Sequence, residues 1–92
     1  MALLTPQELT DGLRSLPSWK QDGKTIQRNW TFPDFAGAMK FVNQVAELAE
    51  KANHHPDIDI RYNQVKLALT SHDSGGVTKR DLRLAAQIDQ VR

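Results

Sequence analysis

Three histidines are the residues of this chain best suited to chemistry: His54 and His55 side by side, and His72 farther on. They sit in a spaced frame, Glu50-x-x-x-His54-His55-Pro56, then Tyr62, His72 and Asp81. Imidazole has an unperturbed pKa of about 6.5, so converging imidazoles point to acid–base work near neutral pH or to metal binding. A zinc site draws three or four convergent ligands, usually from spacings such as His-x-x-x-His that place two on one face. Neighbouring histidines point in different directions and do not offer that, which leaves only a distorted set with His72 and Asp73 or Asp81. Nucleophilic catalysis has less support. Ser71 adjoins His72 and Ser74 is near, but no nucleophile elbow or Ser-His-Asp context surrounds them. A glycine-rich phosphate loop is also missing. What remains is proton transfer to and from a bound small molecule, with no metal and no resident cofactor expected.

Each of these residues also has an ordinary structural explanation. Adjacent histidines after a helix are often a polar exit from it. Asp81, three residues after Thr78, is what an N-terminal capping box and the helix dipole would select. Tyr62 falls in phase with Ile58 and Ile60 and fits a core position, while Glu50 fits either a helix-surface charge or a group that orients His54 one turn later. Trp19 and Trp30 suit core or edge positions, with Trp19 expected to be the more mobile because Pro17 and Ser18 place it on a loop.

Composition narrows the class. Ninety-two residues fit one small domain spanning 1–92, which has a thin margin of core and so favours association of subunits. Hydrophobic residues at 39% and charged residues at 25% describe a globular chain. Twelve basic residues against eleven acidic ones, scattered rather than massed, argue against nucleic acid as the main ligand. There is no cysteine, hence no disulfide frame and no thiolate site. The N-terminus resembles no leader and no window reaches the length of a membrane span, so a cytoplasmic location is expected.

The elements that must position the histidines follow from periodicity. Thr5-Pro6-Gln7-Glu8 predicts a helix start, and Leu9, Leu13 and Leu16 carry it to Pro17. Asp22-Gly23 predicts a hairpin over Ser18 to Thr31. Thr31-Phe32-Pro33-Asp34 resembles a cap. After it, Phe35, Ala38, Met39, Val42, Val45, Ala46, Ala49 and Ala52 form the apolar stripe of a helix of about twenty residues, roughly 30 Å, ending near Asn53. Phe41 and Leu48 widen that stripe and are candidates for a subunit or partner interface. Asp57–Tyr62 and Val65–Ser71 alternate as hairpin partners around a turn at Asn63-Gln64. This phase puts His72 at a strand end, away from the Val65/Leu67/Leu69 face. Gly75-Gly76 permits a turn, and Thr78-Lys79-Arg80-Asp81 caps a last helix carrying Leu82, Ala85, Ile88 and Val91. The order α-β-β-α-β-β-α predicts an α+β single domain, a four-stranded antiparallel sheet with helices packed on one face.

The histidine frame, with the flanking runs Tyr62-Asn63-Gln64-Val65 and Thr70-Ser71-His72-Asp73, resembles the signature of the pterin-4a-carbinolamine dehydratases over nearly the whole chain. The resemblance implies an enzyme that eliminates water from 4a-hydroxytetrahydropterin to give quinonoid dihydropterin, assembled as a homodimer or homotetramer. It also implies a functional link to an aromatic amino acid hydroxylase that makes the substrate. By the same resemblance His54 and His72 transfer protons on either side of the pterin and His55 binds and orients it. Asp81 then holds one imidazole in its useful tautomer, and Glu50 assists His54. Main-chain groups around Asn53, Thr70, Ser71 and Asp73 meet the ring edge, with Tyr62 and Trp19 as supporting residues. On this reading, replacing His54 or His72 lowers turnover and leaves the fold intact. The competing expectation is a non-catalytic module that keeps the fold and serves a protein partner, as a transcriptional cofactor or assembly factor.

Overall fold

In the computed structural model, which describes residues 2–91, the chain runs α1 (Pro6–Leu13), β1 (Lys20–Asp22), β2 (Thr25–Thr31), α2 (Phe35–Ala52), β3 (Asp57–Arg61), β4 (Gln64–Leu69) and α3 (Lys79–Asp89). The four strands form one antiparallel sheet in the order β1-β2-β4-β3. Two hairpins thus lie side by side, with α2 carrying the chain from the end of β2 across to β3. The predicted α+β architecture is observed. No helix among the described residues is long and apolar enough to cross a membrane.

Capping chemistry sets the helix starts. Thr5 and Glu8 exchange side-chain-to-backbone hydrogen bonds around Pro6, and those bonds to Thr5 hold the Glu8 carboxyl below its usual range. Helix α1 stops at Leu13 rather than running to Pro17. Arg14, Ser15 and Leu16 instead make shorter-range turns on Asp11, Gly12 and Leu13, so Leu16 is buried from a turn and not from a helix face. At α2 the cap is Asp34, whose carboxylate accepts from the Gly37 amide, and not Thr31, which is still paired in β2. Gly12 marks a tight approach of α1 to α3: a Cβ there would meet Leu82 Cδ1 at 2.5 Å.

The core forms where the inner sheet face meets the helices. Ile26 of β2 and Val65, Leu67 and Leu69 of β4 are buried against Ala38, Phe41, Val42, Val45 and Ala49 of α2 and Leu84, Ala85 and Ile88 of α3. Each large aliphatic side chain so placed contributes about 1.5–3 kcal/mol. The apolar stripe of α2 is rotated from the predicted one. Phe41 is core, stacked near Trp30 and Phe32 with centroids at 4.8 and 5.2 Å, while Phe35, Ala46 and Ala52 are exposed. Phe41 therefore offers no interface; Leu48 is only half-buried.

Trp19 is the largest core side chain and not a mobile loop residue. It is 2% exposed, meets Trp30 edge-on at 5.7 Å, and its Nε1 donates to Asp89 Oδ1 at 2.8 Å. Arg28 joins the same Asp89 oxygen at 2.5 Å and lies over the Trp30 ring at 4.6 Å. Tyr62 likewise departs from the expected core position. The turn between β3 and β4 is Tyr62-Asn63 rather than Asn63-Gln64, and Tyr62 occupies it with φ 54° and 66% exposure. Ending the strand at Arg61 cancels the alternation that would have turned its ring inward.

Candidate active site

Two chain junctions face one another at the end of the sheet. The first is the exit of α2. Asn53 takes the left-handed conformation (φ 49°, ψ 43°), its amide donates to Glu50 and Ala49 carbonyls, and the His54 amide donates back to Ala49 at 3.1 Å. This is a Schellman closure of the helix, which turns the chain sharply and throws His54 and His55 off the helix axis. The second junction follows β4. The Ser71 amide donates to the Gly76 carbonyl, and the Ser71 carbonyl accepts from the amides of Ser74, Gly75 and Gly76, so residues 71–76 form a closed loop that displays His72.

Between the junctions lies a cleft of about 260 Å³ lined by Asn53, His54, His55, Thr70, His72 and Asp73. All three histidines border it. They differ in setting: His54 is buried, whereas His55 and His72 are exposed.

His54 owes its position to Asp81, which is fully buried in the first turn of α3. Asp81 Oδ1 lies 2.5 Å from His54 Nε2, and Oδ2 accepts from the Ser71 hydroxyl at 2.9 Å and the Thr78 amide at 2.8 Å. Since Ser71 Oγ gives its proton to Asp81, the 2.8 Å contact between the two hydroxyls is donated by Thr78 Oγ1, which in turn accepts from the Arg80 amide. The capping box and the imidazole clamp are therefore one network. A carboxylate acceptor at Nε2 selects the tautomer protonated there and leaves Nδ1 as the ring's basic nitrogen.

Glu50 does not reach His54. Its Oε2 lies 2.5 Å from His55 Nε2, in an exposed pair. The i,i+4 rule that would join Glu50 to His54 requires the helix to continue, and Asn53 ends it. Ser71 supports the site from within: 1% exposed, with side chain and backbone both engaged, it presents nothing to the cleft. Thr70 lines the cleft and donates Oγ1 to the Lys24 carbonyl at 2.6 Å. Tyr62 lies at the far end of β3 from His55, and Trp19 is in the core. One residue beyond the expected set matters here. Arg80 donates to Asp73 at 2.5 Å, and this hydrogen bond holds the Asp73 carboxyl below its ordinary range. No spacing rule signals that contact, because it spans a loop and a helix start. Among the described residues no group of three or more His, Asp or Glu side chains is arranged to hold a metal ion.

Comparison with known proteins identifies the family and the fold. Residues 2–91 match the family model described as pterin 4 alpha carbinolamine dehydratase. A protein of Acidobacterium capsulatum is 58% identical over 99% of both chains, and one of Koribacter versatilis is 53% identical over 96% of this chain and 94% of its own. Both carry the name pterin-4-alpha-carbinolamine dehydratase as a provisional assignment. Among solved structures, a transcriptional coactivator/pterin dehydratase from Brucella melitensis superposes with a TM-score of 0.89 at 36% identity, covering 94% of each chain. A pterin dehydratase-like protein described as a RuBisCO assembly factor shares the fold at a TM-score of 0.68 and 24% identity, over 78% of this chain and 86% of its own. With its fold and nearly its whole length in agreement, this chain belongs to the pterin-4-alpha-carbinolamine dehydratase family.

Proposed function

We propose that the protein catalyses dehydration of 4a-hydroxytetrahydropterin to quinonoid dihydropterin. The observation that carries this reading is the convergence of three imidazoles on one cleft beside Asn53, Thr70 and Asp73. The reaction breaks the C4a–O bond, adds a proton to the departing oxygen and removes one from a ring nitrogen, so water leaves and no electrons change hands. Such a step needs an acid and a base on a flat bicyclic ring, and imidazoles can be both. His54, clamped by Asp81, and His72, displayed by the loop, are the proton-transfer residues; His55, steadied by Glu50, orients the pterin. Asn53, Thr70 and Asp73 offer polar groups to the ring edge. The substrate is supplied by a tetrahydropterin-dependent hydroxylation, and the working assembly is a homodimer or homotetramer in the cytoplasm.

The test is stopped-flow dehydration of enzymatically generated 4a-hydroxytetrahydropterin, run beside metal analysis of the same sample. Acceleration over the spontaneous reaction in metal-free protein is expected. A rate equal to the uncatalysed one would overturn the assignment and favour the second reading, a protein-binding role of the kind that the Brucella melitensis relative's description pairs with dehydration.

A further inference from the structure

A second cleft, of about 240 Å³, lies between α2 and α3 and shares the His54 side chain with the first. Its apolar wall is Leu48 and Leu84, and its polar lining is dominated by Lys51, Arg80 and Arg83; no carboxylate lines it. Lys51 and Arg83 have no ion-pair partner among the described residues. Arg80 has one acceptor, Asp73, which belongs to the catalytic cleft, and its Nε is a buried side-chain nitrogen without a hydrogen-bond partner. Buried donors are nearly always satisfied, so this guanidinium is short of acceptors. Three cations around an apolar wall, in a space near the small end of ligand pockets, suit a small molecule with an anionic group. The chain's formal charge of only +1 offers no broad basic surface for a polyanion.

We propose that the α2–α3 cleft binds the phosphate or carboxylate group of a small organic anion, held by Lys51 from α2 and by Arg80 and Arg83 from α3, with the ligand's apolar part against Leu48 and Leu84. The two clefts are coupled through Arg80. An anion that engages its guanidinium competes with Asp73, whose carboxyl is then released toward its ordinary titration range while it still faces the catalytic cleft. The site does not depend on the proposed reaction, and its test uses no turnover.

The experiment is a titration of the full chain with inorganic phosphate at fixed pH and ionic strength, followed by NMR of the arginine Nε–Hε groups and the Asp73 side-chain carboxyl carbon, with chloride as control. Saturable shifts at Arg80 and Arg83, absent with chloride, are expected, together with a shift at Asp73. The double variant Lys51→Gln/Arg83→Gln removes two exposed side chains and is expected to keep the native spectrum while weakening phosphate at least about tenfold, the effect of losing a few charge-assisted contacts. Phosphate and chloride responses that superimpose up to tens of millimolar would overturn the proposal. So would native affinity in the double variant.

Discussion

Asp81 is fully buried, and its two oxygens are shared among His54, Ser71 and the backbone of Thr78. The histidines of the cleft are therefore unequal in what they do for the fold, although replacing either is expected to leave the fold intact. His72 is exposed on its loop, so His72→Ala should lower the dehydration rate by roughly 10²-fold to 10⁴-fold while leaving the urea midpoint in place. His54→Ala should lose as much rate and also about 1–3 kcal/mol of stability, because it strips a partner from a buried carboxylate. Stopped-flow rates and urea unfolding of both variants separate the cases, and equal stabilities would refute the clamp. Capping spacing made Asp81 legible as a helix cap and the family resemblance pointed to it as the partner of an imidazole, and both contacts are found on its one carboxyl group. Of the two readings of Glu50 the surface charge holds and the partner of His54 does not, because helical spacing says nothing about side-chain direction once the helix has ended.

At the scale of elements, the left-handed turn at Asn53 fixes where the paired histidines point. A side chain with a Cβ pays about 1–2 kcal/mol there unless, like asparagine, it tolerates the conformation, and glycine is free of that strain. Asn53→Gly should thus hold the imidazoles in place, whereas Asn53→Ala should be less stable than the glycine variant by about 1 kcal/mol and slower in turnover. Glycine and alanine variants of equal stability and rate would show that the turn does not position the site. Helix and strand order was readable throughout because apolar periodicity carries it. Faces were harder. An eighteen-residue helix accumulates phase, so its buried stripe centres on Phe41, Val42 and Val45, leaving the first-turn Phe35 outside. Strand parity failed at Tyr62 for a different reason: alternation predicts a face only while the strand lasts.

For the whole molecule, Asp89 ties the end of α3 to both edges of the first hairpin's base, receiving Trp19 from the preceding loop and Arg28 from β2. No periodic signal announces such a tie, since its members are joined only by the completed fold. Asp89→Ala should cost about 1–3 kcal/mol, toward the lower figure because the Arg28–Asp89 pair is about one-quarter exposed, and should shift tryptophan emission to the red. An unchanged thermal midpoint with native emission would dismiss the tie as incidental. The histidine cleft, by contrast, is lined by Asn53, His54, His55, Thr70, His72 and Asp73, and the N-terminal half supports it where the Lys24 carbonyl receives the Thr70 hydroxyl. A saturation scan of the chain would therefore draw two different maps: sharp bands of lost activity at those residues and at Asp81, over a diffuse landscape of lost stability spread through the buried positions of residues 2–49, the bedding beneath a fixed pair of jaws.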